Sequence, residues 1–264
     1  MTYCLAMRLD EGLVFVADTR TNAGVDNVGT YRKMHVLSPT PDRLFVLESA
    51  GNLATTQQVL DRIRQDLETP GDHMSLATVT HLFDAALYIG RLGQQVQQVH
   101  SAALGGMDAS ATFILGGQVD PEAPDILMVY PEGNYIRASD ERPFLQIGES
   151  KYGKFMLELA VEAHVDMITA TKIALSSMIS TASSNLSVGP PYDIGLYRPG
   201  THELEELRVE DGSPVLHELQ SLWNKHLLHA IADLPTISRQ RLTEPAAPTD
   251  APTAADPDAP GAPH

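Results

Sequence analysis

Thr2 becomes the first residue of the chain once Met1 is removed, and a terminal threonine can do chemistry closed to an internal one. Its hydroxyl is a weak nucleophile at neutral pH and needs an adjacent base. A free α-amine, with an unperturbed pKa of about 7.7 to 8.0, is such a base on the same residue. Thr2 is small enough to suit methionine excision. The residues after it predict a neighbour. Thr2 to Leu9 are β-prone, Asp10-Glu11-Gly12 supplies a turn and Leu13 to Ala17 is apolar, which predicts a β-hairpin. A three-residue loop would pair Leu9 with Leu13 and set Cys4 opposite Asp18, so that Thr2, Cys4, Asp18 and Arg20 share one face. Thr2 and Asp18 would then lie diagonally about 7 to 8 Å apart, a gap that one cation bridges. A slip of one residue would send Asp18 to the other face, so this geometry depends on the turn. Singly, these residues have ordinary roles: a Thr after the initiator, an Asp at a strand end, a solvated surface lysine at Lys33.

The elements that must position such a face are legible from punctuation and period. Further strands are expected at Tyr31 to Leu37, Arg43 to Glu48, Ala111 to Leu115, Ile126 to Tyr130 and Tyr135 to Ala138. Val59, Leu60, Ile63 and Leu67, then the apolar positions from Leu76 to Val99, recur at spacings of three and four and predict two amphipathic helices. A second helical pair is expected over about Lys151 to Val165 and Thr169 to Ala182. A hairpin of Asp193 to Tyr197 with Leu204 to Val209 follows, then a last helix carrying Leu216, Leu219, Leu222, Trp223 and Leu227. Strands, two helices, strands, two helices, strands and a helix suit an α+β fold, with two stacked antiparallel sheets between helical layers.

Composition narrows the function. The 264 residues, 43% hydrophobic and 6% aromatic, suit one principal domain over 1–242. Beyond it, six prolines among Ala, Thr and Asp predict a disordered tail over 243–264. Acidic side chains outnumber basic ones 34 to 18, and the formal charge of −16 repels phosphate backbones and anionic lipid. Neither nucleic acid nor a membrane is expected as a partner, and no apolar run approaches the roughly 20 residues of a spanning helix. The single cysteine, Cys4, excludes an internal disulfide framework and suits a reducing, cytoplasmic compartment. It reads as a small buried residue, since no histidine partner can be nominated for it. The ten histidines lack ligand spacing and the glycine pairs fit no nucleotide loop, so neither metal nor cofactor is expected.

Taken in order, Thr2, Ala17-Asp18-Thr19-Arg20 with Ala23-Gly24, Arg32-Lys33-Met34 and Ser49-Ala50-Gly51 resemble a proteasome β-type subunit. The opening Thr-Tyr-Cys, Arg32-Lys33-Met34-His35 and Ser187-Val188-Gly189-Pro190-Pro191 are similar to the Anbu group, the bacterial proteasome-like ancestral β-subunit family. This resemblance runs from about Thr2 to Trp223. It implies a four-layer αββα sandwich and an N-terminal-nucleophile hydrolase, a threonine-type endopeptidase or amidase acting on peptide or amide substrate within a homo-oligomer. It makes Thr2 the nucleophile, Lys33 and Asp18 its partners and the Gly51 amide the oxyanion donor. The chemistry is coherent: an ammonium at Lys33 favours loss of nearby protons, and Asp18 holds that ammonium and offsets its desolvation.

Several departures from the proteasome pattern matter. No propeptide precedes Thr2, so methionine excision must free the amine. The segment from Gly24 to Lys33 is one residue shorter. The supporting Asp falls near Ser184 or Asn185, and the supporting serines near Glu149 or Ser150 and at Ser187, which makes Ser150 and Ser187 the candidates. Ser49 and Leu53 border the primary pocket by family position. If the supporting positions fail, the alternative is an assembly or scaffold protein of the same fold with little turnover.

Overall fold

Asp10 and Glu11 alone turn the chain between β1 (Tyr3–Leu9) and β2 (Gly12–Asp18) in the computed structural model, which describes residues 2–22, 28–69, 71, 73–103 and 108–238. Leu9 pairs with Gly12 and Cys4 with Ala17, one residue away from the expected register. The reason lies outside the turn. A Cβ at position 12 would stand 2.0 Å from the Tyr197 carbonyl oxygen, so this glycine, at φ 142°, belongs in the ladder and not in the loop. The slip has the consequence that register demands. Leu5, Met7, Val14 and Val16 face one core, while Cys4, Ala6, Phe15 and Ala17 face another. Asp18 therefore does not share a face with Cys4.

The chain continues through a small ribbon of β3 (Arg20–Asn22) and β4 (Val28–Thr30), then β5 (Met34–Leu37) and β6 (Arg43–Gly51). Ala23-Gly24 lies outside the described residues. Helix α1 (Leu53–Glu68) starts on the Asn52 side chain, which accepts the Thr55 N–H at 3.2 Å, and buries Val59, Leu60 and Ile63. Helix α2 (Leu82–Ala103) begins later than its apolar period suggested. Leu76 and Val79 are buried, but the carbonyls of Leu76, Ala77 and Val79 turn to the Arg43 guanidinium and not along a helix. Strands β7 (Ala111–Val119), β8 (Asp125–Val129) and β9 (Tyr135–Arg137) follow as a meander.

Strand β10 (Phe144–Gly148) was not expected, and it pairs with β1. Helix α3 (Lys154–Ala160) is shorter than its period implied, and α4 (Met167–Ser184) is capped by Asp166, whose side chain accepts the Thr169 N–H at 2.9 Å. Strands β11 (Tyr192–Tyr197) and β12 (Leu204–Val209) form the expected second hairpin before α5 (Pro214–Ala232).

Two five-stranded antiparallel sheets result, in the orders β10-β1-β2-β11-β12 and β5-β6-β7-β8-β9. Phe15, Val46, Ile114 and Tyr197 belong to a cluster drawn from both sheets. A second cluster joins the first sheet to Leu157, Ala170, Ala174 and Met178 of α3 and α4. A third joins the second sheet to Val59, Ile63, Ala85 and Ile89 of α1 and α2. Each fully buried Leu, Val or Phe in these clusters contributes about 1.5–3 kcal/mol relative to exposure.

The chain divides into two units, Met1–Trp223 and Asn224–His264. In the first, the Trp223 indole donates to Ser180 Oγ at 3.1 Å. In the second, Leu228, Ile231, Leu234 and Ile237 are exposed. The segment 243–264 expected to be a tail lies outside the described residues. Among the described residues no helix is long and apolar enough to cross a membrane.

Candidate active site

Strands β1, β2 and β10 fix Thr2 from both sides. On one side Tyr3 pairs with Gly148, and the Thr2 carbonyl accepts the Glu149 N–H at 2.7 Å. A Cβ on residue 148 would lie 1.9 Å from the Thr2 oxygen, so only glycine lets the backbones approach this closely. On the other side the Tyr3 N–H donates to Asp18 Oδ1 at 2.9 Å. Asp18 closes β2 opposite Tyr192 of β11, and its second oxygen accepts the Gly189 N–H at 3.3 Å.

Lys33 completes this corner. Its Nζ donates to Asp18 Oδ1 at 2.6 Å and to the Arg20 carbonyl at 2.7 Å, while the Lys33 carbonyl accepts the Ser49 N–H at 3.1 Å. The lysine side chain is 3% exposed and the aspartate fully buried. Such a pair withstands its desolvation only with further hydrogen bonds, and Arg20, Tyr3 and Gly189 supply them. Burial pushes the Asp18 carboxyl above its ordinary range, and the Lys33 ammonium with the two N–H groups draws it back. The expected contact of Asp18 with Lys33 is thus present, although the face-sharing route proposed for it is not. It forms at the open end of β2, where a carboxylate can reach past its own strand.

Thr2, Lys33, Ser49, Gly51, Leu53 and Gly148 line one cavity of about 530 Å³. Ser49 and Leu53 therefore lie where family position put them. A larger cavity of about 740 Å³, bordered by Arg32, His35, Arg64 and Glu206, adjoins it at Tyr31. Of the two, only the smaller one is lined by Thr2 and Lys33. Its residues could bring together a hydroxyl, an ammonium on a buried carboxylate and backbone near Gly51, the parts required for acyl transfer. Among the described residues no group of three or more His, Cys, Asp or Glu could hold a metal ion.

The expected supporting positions, Ser150 and Ser187, lie in the segments after β10 and α4. Ser150 meets its surroundings through its backbone, with its N–H on the Gly148 carbonyl at 3.0 Å and its carbonyl accepting Gln146 Nε2 at 3.0 Å. The Ser187 N–H donates to Asn185 Oδ1 at 3.0 Å in the loop after α4. The Arg20 guanidinium steadies that loop at the Leu186 and Val188 carbonyls. The side-chain link across this region is instead Asn185 Nδ2 to Glu149 Oε2, at 2.9 Å. Sequence reasoning had offered Glu149 and Asn185 only as alternatives. The signal for them was Gly148, whose close approach sets the following residue against Thr2.

Two further groups are buried beside Ser49. Cys4 is fully buried, and burial, reinforced by Glu48, pushes its thiol well above the ordinary value. Glu48 is fully buried on β6, with no hydrogen-bond partner for either oxygen among the described residues, and burial raises its carboxyl well above the usual range.

No protein-family model and no curated protein matches the chain. Solved structures do. Anbu (ancestral β-subunit) from Yersinia bercovieri is 36% identical, with 90% of this chain and 100% of that one covered at a TM-score of 0.83. The helical assembly of the Anbu complex from Pseudomonas aeruginosa is 37% identical, with 90% and 99% covered at 0.85. Anbu from Hyphomicrobium sp. strain MC1 is 38% identical, with 90% and 100% covered at 0.82. With identity at this level over nine-tenths of its length, and with Thr2, Asp18 and Lys33 gathered at one corner of a mixed α and β fold, the chain belongs to the Anbu, or ancestral β-subunit, family.

Proposed function

We propose that this protein is a proteasome-type threonine hydrolase in which Thr2, freed by removal of Met1, attacks a peptide or amide carbonyl. The Thr2 amine takes the hydroxyl proton directly or through water and returns it to the leaving amine. Lys33, held by Asp18, favours the deprotonated hydroxyl, and the Gly51 amide stabilises the tetrahedral oxyanion. The acyl–Thr2 ester is then hydrolysed. The observation that carries this reading is the buried 2.6 Å contact of Lys33 with Asp18 beside a cavity that Thr2 lines.

The reading includes the four-layer αββα arrangement, for which the three core clusters speak, and a catalytic domain over 1–242 followed by a dispensable tail. It also places the work in the cytoplasm and in a homo-oligomer. The helical assembly of the Pseudomonas aeruginosa relative supports the last point. So do Phe155 and Leu159, one turn apart on α3 and 69% and 71% exposed. A second reading keeps the oligomer and drops the turnover, making the protein a scaffold. It is favoured by Ser150, which meets its neighbours through its backbone, with its N–H on the Gly148 carbonyl and its own carbonyl on Gln146 Nε2.

Intact mass and covalent labelling separate the two. The mature chain is expected to lack Met1 and to gain one adduct from a β-lactone or epoxyketone, and Thr2→Ala is expected to gain none. Retention of Met1, or equal labelling of both proteins, would remove Thr2 from the chemistry.

A further inference from the structure

Two carboxylates stand at the ends of the strands beside Thr2, Asp18 closing β2 and Glu149 following β10, and the two are treated differently. Asp18 is matched by a cation and two N–H groups. Glu149 is only 8% exposed, yet among the described residues it takes part in no ion pair. What fixes its side chain is a neutral donor, Asn185 Nδ2 at 2.9 Å. An anion withdrawn from water and left without a cation is costly, and a cation brought beside it recovers much of that cost.

The nearest source of a cation is the residue across the ladder. One step beyond the Tyr3 and Gly148 pair, the Glu149 N–H donates to the Thr2 carbonyl at 2.7 Å. While Met1 is present, Thr2 carries a neutral amide nitrogen. Its removal turns that nitrogen into an ammonium on the residue whose carbonyl accepts the Glu149 N–H.

Other charges near this corner are committed elsewhere. Lys33 is on Asp18 and the Arg20 carbonyl, and Arg20 is on the Leu186 and Val188 carbonyls. Lys151, two residues past Glu149, is exposed, and Lys154 of α3 pairs with Glu158 at 3.5 Å.

We propose that Glu149, oriented by Asn185, is the counter-ion of the α-ammonium that Met1 removal creates on Thr2, and thereby a positioning residue that sets the proton affinity of the amine. This rests on the N-terminal-nucleophile reading. It deepens that reading by naming the group that decides at which pH the amine is free to act as base. An anion beside an amine raises its proton affinity, so the acid limb of any Thr2 reaction moves to higher pH than an isolated terminus would give.

The test titrates the amine itself and does not need turnover. The rate of acetylation of the Thr2 α-amine by excess reagent is followed against pH by mass spectrometry of the N-terminal peptide. The full-length wild type is compared with Glu149→Gln and with the double variant Glu149→Gln/Asn185→Asp, each checked by thermal melting. The midpoint is expected to fall by about one pH unit in Glu149→Gln and to return toward wild type in the double variant, which moves the carboxylate across the same hydrogen bond. Unchanged midpoints in a folded Glu149→Gln overturn the counter-ion role and leave the nucleophile untouched. If Glu149→Gln does not fold, the double variant decides: a midpoint near wild type supports the role, and a midpoint fallen by a unit overturns it. A wild-type chain that keeps Met1 sinks the nucleophile reading, and this inference with it.

Discussion

Asp18 and Glu48 are both fully buried carboxyls near one cavity, and they meet opposite fates. Asp18 accepts from Lys33, Tyr3 and Gly189, whereas among the described residues neither oxygen of Glu48 finds a partner. The difference is one of position along a strand. Asp18 ends β2, where its side chain reaches past the sheet to a neighbouring loop. Glu48 lies inside β6, between Met34 of β5 and Ile114 of β7, and its alternation with Val46 and Ala50 turns it into the core between sheets. A buried carboxyl is useful as a charge where a strand end lets cations and N–H groups converge. Inside a ladder, burial raises its proton affinity instead.

The largest effect expected from disturbing this contrast is at the paired site. Asp18→Ala leaves the Lys33 ammonium buried without its anion, a loss of about 3–5 kcal/mol when one partner of a buried pair is removed. Chemical denaturation should show it as a lower midpoint, and a cost below 1 kcal/mol would mean that the pair is solvated.

Glu48→Gln should act more mildly and depend on pH. Burial raises the folded-state pKa, so above the unfolded value of about 4.3 the folded chain holds a proton that the unfolded chain has released. Stability is then lost as pH rises, by about 1.4 kcal/mol per unit until the folded pKa is reached. Glutamine abolishes that slope, so the variant should gain on wild type between pH 5 and pH 8. A difference in melting temperature that stays constant with pH would show that Glu48 is not held neutral.

The smallest effect concerns Cys4, whose thiol is influenced by both carboxyls. Fully buried and kept protonated, it should react with alkylating reagents no faster than the protein unfolds. Cys4→Ala should cost about 1 kcal/mol and leave labelling at Thr2 intact, and rapid alkylation of the folded protein would contradict this assignment.

Much of the architecture was readable in the chain because punctuation and period mark most elements, from the Leu53–Glu68 helix to the Tyr192–Val209 hairpin. What escaped depends on contacts distant in sequence. The first hairpin is one residue off because the backbone at Tyr197 forces glycine into the ladder at position 12. Strand β10 is five residues long and gains its identity only by pairing with β1. Period could not show that Glu48 points inward, since β6 is apolar on both faces. At the candidate site, Thr2, Asp18, Lys33 and Gly51 came from ordered motifs. The hydrogen bond of Glu149 to Asn185, 36 residues apart, needed the fold.

The central claim is that Lys33, seated on Asp18, makes Thr2 reactive. The most direct measurement is β-lactone labelling of Thr2 in wild type and Lys33→Ala, with the adduct located by peptide mass and the fold checked by thermal melting. The account predicts an adduct on Thr2 in wild type and a loss of labelling rate of about 10²–10⁴-fold in a folded Lys33→Ala, the range for removing proton-transfer assistance. Undiminished labelling of that variant would contradict it.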